Sequence, residues 1–258
     1  MPRFKLTIEY DGTAFYGWQV QKNYQTIQGK FFDACKNVFQ TQTFEFYGGG
    51  RTDAGVHALG QVAHLDVKTN LKLVNIQHKL NDELPAGINI LSIEAVDKNF
   101  HARHSAIARS YIYHIARRRT AFGKKYVWWI KDELNTDLMQ QAAKYFIGMH
   151  NYSSFGTTEK EDGSKLVDIT AVDILFDNEN ILIRIQGSHF LWKQVRRMVG
   201  VLVEVGRKQI APEHVKKFLE TYSQVPAKFT APPSGLYLEN IFYEGDDVTL
   251  ERMPLLNL

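Results

Sequence analysis

Apolar and polar residues alternate over residues 3–10: Phe4, Leu6, Ile8 and Tyr10 share one side, and Lys5, Thr7 and Glu9 fall on the other. A period of two predicts a strand. Over residues 25–39 the period changes. Ile27, Phe31, Phe32, Cys35, Val38 and Phe39 recur at helical spacing, which predicts an amphipathic helix. Short strands follow at 43–47 and 61–67, a helix at 71–84 that stops before Pro85, and a strand at 88–96. The first half therefore reads β-α-β-β-α-β.

The second half repeats the rhythm. Residues 108–115 read as a strand with Tyr111 and Tyr113 on one face, and 136–147 as a helix that Gly148 would stop. Strands at 169–176 and 181–186 flank Asp177-Asn178-Glu179-Asn180, a hairpin turn. Helices at 191–205 and 212–222 and a strand at 236–243 complete it. Apart from one extra helix, the order is again β-α-β-β-α-β. The repeat is one of elements, with no residue-level identity between halves. Each half matches the ferredoxin-like order. The expected fold is α+β: a subdomain over 1–105 with an aspartate-bearing loop, and one over 106–258 with a basic helix. Two such sheets side by side would leave a cleft, the usual place for a ligand.

Composition narrows the classes. The chain has 258 residues, 44% hydrophobic and 23% charged, with a formal net charge of +3. That is an ordinary globular balance, with too little excess charge for a chromatin protein. The cations do cluster, at Arg117-Arg118-Arg119, Lys124-Lys125, Arg196-Arg197 and Lys216-Lys217, and clustering favours a polyanionic partner. Cys35 is the one cysteine, so no internal disulfide and no CxxC zinc site can form; it reads as a small buried hydrophobe. The first ten residues read as a strand rather than a secretion signal, and no apolar run suits a membrane span. A reducing, cytoplasmic setting is expected.

The segment Gly48 to His64, GGGRTDAGVHALGQVAH, is the richest in candidate chemistry. It is no P-loop, because no lysine follows the glycines. It is no dinucleotide fingerprint, because a strand follows. Its blandest reading is a glycine-rich hairpin with a surface Arg–Asp pair of little energetic value. Among metal candidates, His57, His64, His101 and His104 lack both an HExxH helix and acidic company; structural or RNA-facing histidines are expected instead. No GxSxG elbow marks a serine nucleophile.

What remains is Asp53 with arginines. In an extended segment Arg51 and Asp53 point the same way and could face one cleft. Lys193, Arg196 and Arg197 would sit at i, i+3 and i+4 on the helix at 191–205, with Leu191, Val195, Val199 and Leu202 as its buried face. An arginine beside Asp53 would keep the carboxylate ionised, which suits a nucleophile or a base. Tyr111 and Tyr113 lead into Arg117-Arg118-Arg119, and Phe190 and Trp192 precede the basic helix. Rings interleaved with cations suit splayed RNA bases.

At GRTDAGVHALGQVAH the sequence resembles the tRNA pseudouridine synthase A family. EYDGTAFYGWQVQ, FHARHSAIARSYIY, HFLWKQVRRMVGVLVEVG and SGLYLENIFY are similar to further family segments, in the expected order over nearly the whole chain. The resemblance implies two ferredoxin-like halves sharing one extended, mainly antiparallel sheet, with helices on one face and a central RNA-binding cleft. It implies a cytoplasmic homodimer that takes tRNA as partner and needs neither cofactor, metal nor membrane. The implied reaction turns uridine into pseudouridine in the anticodon stem-loop, at tRNA positions 38, 39 and 40, with the base flipped out of its stack. By the same resemblance Asp53 is the catalytic nucleophile or base, Tyr111 the ring that stacks on the uracil or moves a proton, and Arg196 the ion-pair partner of Asp53. Arg51 is the wedge that enters the RNA, Leu236 an apolar wall, and Thr52, His57 and Phe190 complete the substrate-binding set.

The chemistry needs few groups. Uracil leaves C1′ through N1, turns, and rejoins through C5, with no net transfer of electrons. A covalent route and a glycal route, the latter with the carboxylate as base, both remain open. His104 stands where the family often has phenylalanine, and Trp192-Lys193 replaces a pair often rich in histidine; neither touches the matched catalytic positions, but both leave the breadth of RNA substrates open. Two other classes compete: a tRNA-binding or folding protein without isomerase activity, and a small-molecule acid–base enzyme. The latter would show no salt-dependent RNA binding.

Overall fold

Phe4, Leu6, Ile8 and Tyr10 are all buried, so the first alternation is a strand with one face in a core. The computed structural model describes residues 1–158 and 163–249. In chain order its elements are β1 (Arg3–Tyr10), α1 (Ile27–Phe39), β2 (Phe44–Gly48), β3 (His57–Val67), α2 (Leu73–Glu83), β4 (Ile88–Val96), β5 (Ala106–Ala116), β6 (Trp128–Trp129), α3 (Thr136–Ala143), β7 (Gly148–Asn151), β8 (Leu166–Phe176), β9 (Asn180–Gly187), α4 (Gln194–Gly206), α5 (Glu213–Glu220), α6 (Val225–Lys228) and β10 (Leu236–Tyr243). The class is α+β. The chain divides into two compact units, one of Met1–Ile107 with Tyr237–Asp247, the other built on Ala108–Leu236.

In the first unit β1 lies between β4 and β3, antiparallel to both. The other edge of β3 serves two partners. Its C-terminal half pairs antiparallel with β2, Val67 opposite Phe44 and Ala63 opposite Gly48. Its N-terminal end pairs parallel with β10, His57 opposite Tyr237. The helix expected from residue 25 starts two residues later because Thr26 is its cap, its Oγ1 accepting from the Gly29 amide at 3.2 Å. The core beneath holds Trp18, Phe31 and Phe46, with Phe31 and Phe46 stacked at 4.6 Å and Trp18 and Phe46 at 5.9 Å; such pairs contribute about 0.5–1.5 kcal/mol each beyond area burial. Cys35 is fully buried on α1, and burial pushes its thiol up to about 12, so it is the inert hydrophobe its spacing implied.

One ion pair closes this unit. Arg3 holds Asp66 with two bonds, Nε to Oδ1 at 2.7 Å and Nη2 to Oδ2 at 2.6 Å, while Nη1 donates to the Lys98 and Phe100 carbonyls. The pair ties the ends of β1 and β3 to the chain leaving β4. Beside it His64 is buried, and its Nδ1 accepts from the Ala102 amide at 3.1 Å.

In the second unit the antiparallel order is β5–β9–β8–β7, with the short β6 parallel to β5 at Ile115 and Ala116. The hairpin turn is as expected: Asp177 Oδ1 accepts from the amides of Glu179 and Asn180 at 2.7 and 2.6 Å. Gly148 takes φ +105° and stops the helical segment, whose last turn tightens to a 3-10 turn over Lys144–Phe146. The helix expected over 191–205 starts instead at Gln194. Lys193 has φ +63°, and Gln194 Oε1 accepts from the Leu191 amide at 2.9 Å, so residues 191–193 form a turn. Helix α4 is buried nearly all round, including Met198, Val199, Val201, Leu202, Val203 and Val205, and is a central helix rather than a one-sided one. Strands β6 and β7 and helix α6 are too short to carry a period of their own.

The neutral state of His64 makes stability depend on pH. Burial, then the charge of Arg3, hold its pKa down to about 4 against an ordinary 6.5. A proton on Nδ1 would also cost the bond from Ala102. The native state therefore keeps this stability above pH 6.5 and loses it as pH falls towards 4. Urea midpoints between pH 7 and 4.5 should fall more steeply in the wild type than in His64→Gln, whose side-chain oxygen can still accept from Ala102. Parallel slopes would rule out His64 as the titrating group.

Candidate active site

Between β2 and β3 the chain runs as a loop over residues 49–56, and each turn of its backbone is tied to something rigid. Gly49 donates to the Val62 carbonyl at 2.7 Å. The Gly50 amide donates to Gln61 Oε1 at 3.2 Å, and Gln61 Nε2 donates back to the Gly50 carbonyl at 2.8 Å. The Tyr10 and Thr52 hydroxyls lie 2.8 Å apart in a hydrogen bond. The Trp18 amide donates to the Thr52 carbonyl at 3.1 Å, and the Gly55 amide to the Phe15 carbonyl at 3.2 Å. A turn closes with Val56 donating to the Asp53 carbonyl at 3.2 Å. Asp53 is thus a half-buried carboxylate on a braced backbone, with Thr52 buried before it and Arg51 exposed.

The glycines serve close approach more than unusual conformation. A Cβ on Gly48 would stand 2.4 Å from the Trp18 ring, and one on Gly49 2.8 Å from the Ala102 carbonyl. Of the loop glycines only Gly55 takes a left-handed φ, +77°.

Arg51 Nε donates to Gln19 Oε1 at 3.1 Å. Burial, then the like charge of Arg103, lower its pKa. Two guanidiniums this close suit an anion. His57 lies beneath the Gly12–Ala14 turn, almost fully buried: its Nδ1 accepts from the Gly12 amide at 3.1 Å and its ring stacks on Tyr237 at 4.8 Å. The His64, His101 and His104 rings lie in a row, edge-on at 4.7 Å and then tilted at 4.3 Å. Backbone amides of Arg103 and His104 occupy His101 Nδ1 at 3.1 and 3.3 Å, as Ala102 does that of His64. No group of three or more metal-ligating side chains forms among the described residues.

The second unit carries the other expected residues. Tyr111 and Tyr113 share a face of β5, both buried. The Phe190 ring stands edge-on to Tyr111 at 5.0 Å. The Tyr113 hydroxyl donates to the Pro232 carbonyl at 2.7 Å; burial raises its pKa, opposed by the nearby Arg196 charge. Arg196 is bound twice to Ala231, its Nε donating to that carbonyl at 2.7 Å and its own carbonyl accepting the Ala231 amide at 3.0 Å. Gly200 permits this, because a Cβ there would fall 1.5 Å from the Phe229 carbonyl oxygen. Leu236 is buried at the end of the Pro233–Gly235 turn.

The basic triad divides. Lys193 lies outside the helix, its Nζ 4.1 Å from the exposed Trp192 ring. Arg196 faces Ala231, whereas Arg197 turns towards residues 153–157 and 222–228. The spacing i, i+3, i+4 implied one face only if the helix began at residue 191. Gln61 and Tyr10 were missed as parts of the site. The one available signal was a glutamine at a position of β3 that alternation assigns to the core.

Fold and loop together define an α+β protein that presents a carboxylate and a guanidinium from a braced, glycine-framed loop. A family model described as tRNA pseudouridine synthase matches residues 6–105 and 142–244. The chain is 41% identical over 244 residues to the tRNA pseudouridine synthase A of Ehrlichia chaffeensis, covering 93% of this chain and 100% of that protein. It is 40% identical over 247 residues to that of Rhodopseudomonas palustris, covering 95% and 100%, and 38% identical over 250 residues to that of Brachyspira hyodysenteriae, covering 95% and 100%. The chain belongs to the tRNA pseudouridine synthase family, a family of isomerases that act without a cofactor.

If Gln61 sets the loop, Gln61→Leu leaves the amide and carbonyl of Gly50 without their partner, at about 1–3 kcal/mol. Turnover on tRNA should fall about tenfold to a hundredfold with KM little changed, since a small displacement of a reacting group costs that much. Gln61→Glu, which can still accept from Gly50, should recover part of the loss. Faster hydrogen exchange at Gly50 in the leucine variant reports the same loosening; wild-type kcat in that variant would remove Gln61 from the site.

Proposed function

We propose that this protein converts uridine to pseudouridine at positions 38, 39 and 40 of the anticodon stem-loop of tRNA, with Asp53 as the catalytic carboxylate. The observation that carries the reading is the braced loop of residues 49–56. Its fixed backbone holds one acidic side chain half-exposed, beside the exposed Arg51, inside the family match over residues 6–105.

The proposed chemistry starts with the target nucleotide leaving its stack, at a cost of about a few kcal/mol. Arg51 offsets part of that cost by filling the space. As the N1–C1′ bond breaks, Asp53 either takes the 2′ proton, and returns it to C2′ when the new bond forms, or bonds to C1′ and is displaced from it by C5. The uracil turns, a C5–C1′ bond forms, the C5 proton is lost and N1 gains one, so atoms and electrons balance without an external oxidant or reductant. Tyr111 stacks on the uracil, Phe190 supports that ring, and Leu236 is an apolar wall. Arg196 holds the carboxylate ionised; its double tie to Ala231 supports a positioning role. Thr52 and His57 act from behind the loop, through Tyr10 and Gly12. A homodimer in the cytoplasm is the proposed working form. No helix among the described residues is long and apolar enough to cross a membrane.

Asp53→Asn should lower pseudouridine formation in tRNA transcripts by about a thousandfold or more while leaving tRNA binding within about threefold. Tritium release from 5-tritiated uridine reads the rate, and filter binding the affinity. Wild-type turnover by the variant would exclude Asp53 as the catalytic group. Arg196→Ala should reduce kcat about a hundredfold with a smaller change in affinity; equal losses in both would make Arg196 a binding residue instead.

A further inference from the structure

The second unit holds a cleft of about 370 Å³ that belongs to none of the groups assigned above. Its walls come from the residues after β7, from α4, from the segment between α5 and α6, and from α6 itself. Among the described residues two cations line it, Arg197 and Lys228, and no carboxylate does. The other lining groups are neutral and polar, among them Ser153, Tyr222, Ser223 and Gln224. Part of the wall is fixed: Ser154 Oγ donates to the Phe218 carbonyl at 2.7 Å and accepts the Ser223 amide at 3.0 Å.

Arg197 is the unusual member. Its Nε is fully enclosed and has no hydrogen-bond partner among the described residues, while the residue borders the cleft. A buried donor without an acceptor is costly, the more so on a charged group, so the fold maintains this arrangement at a loss. Burial also lowers the Arg197 pKa, though not enough to discharge a guanidinium at neutral pH. A cavity whose described lining carries two cations and hydroxyl donors fits a phosphate oxygen. The Ser153, Ser223 and Tyr222 hydroxyls are donors that can serve further oxygens.

We propose that this cleft binds one phosphodiester group of the RNA substrate's backbone, through Arg197 and Lys228, and so anchors the RNA apart from the reacting nucleotide. The inference rests on the tRNA-modifying function above and adds a positioning site to it. Phosphate contacts set register without reading sequence, which suits an enzyme expected to act on neighbouring positions of one stem-loop.

The test is the salt dependence of tRNA binding in Arg197→Met Lys228→Met. Losing one phosphate contact should lower the slope of log K against log salt by about one and weaken binding about tenfold at moderate salt. KM for tRNA should rise, with kcat at saturation within about twofold of wild type. Melting temperature should hold or rise, because methionine removes the unpaired buried donor. Arg197→Lys, which keeps the charge, should retain most of the slope. Addition of an anticodon stem-loop RNA should also shift the Arg197 Nε–Hε resonance in an arginine-labelled sample. An unchanged slope and KM in the folded double variant overturns the proposal. So does an Arg197 resonance that moves with inorganic phosphate or uridine 5′-monophosphate but not with RNA, which would make the cleft a small-phosphate site. The binding slope needs no turnover, so it reads the cleft even if wild-type protein formed no pseudouridine, the result that would sink the functional reading instead.

Discussion

The paired hydrogen bonds between the Gln61 amide and Gly50 are the constraint on which the proposed chemistry depends. A buried primary amide has donor and acceptor capacity that must be met. Here one backbone residue meets both sides, at 3.2 and 2.8 Å. That fixes the loop where it leaves β2, and the Tyr10–Thr52 and Trp18–Thr52 bonds fix it again before Asp53. Glycines would otherwise make this stretch the most mobile of the unit. With these bonds the flexible residues allow close packing on Trp18 and Ala102, and the carboxylate inherits a defined position. Preorganisation of this kind lets one acidic side chain do work that would otherwise need several.

The same economy governs the histidines. His57, His64 and His101 each receive a backbone N–H at Nδ1. A ring nitrogen that accepts from a backbone amide cannot also carry a proton, so for His64 and His101 the arrangement favours the neutral ring. For His64 burial and the Arg3 guanidinium act in the same direction. The cluster lines the chain leaving β4, which Arg3 and Asp66 tie to the sheet.

Helix α4 shows how a small shift in a boundary alters the chemistry of a surface. One continuous helix from residue 191 would set Lys193, Arg196 and Arg197 on one face. The left-handed residue at 193 detaches the lysine and lets Trp192 pair with Thr157 across an isolated bridge. The two arginines then serve different surroundings. Arg196 is pinned to Ala231 beside Tyr113, and Arg197 borders a separate cationic cleft. Two adjacent residues a hundred degrees apart on a helix thereby address two places.

By itself the sequence determined the elements and the chemical repertoire. The bounds of β1, β4 and β10 were legible to the residue, and the stop at Gly148 agrees with the helical segment before it, because these signals act between residues a few positions apart. The motif around Asp53 was equally legible, since a local string carries it. Only tertiary structure decided what bonds those residues make. Gln61 meets Gly50 across a strand pairing, and Arg3 meets Asp66 and the residues after β4 through a sheet order with no local signal. Arg197 borders its cleft with segments about 40 residues before it and about 30 after it. Hydrophobic period is a property of neighbours in the chain, while hydrogen-bond satisfaction is a property of neighbours in space, and only folding brings the latter together.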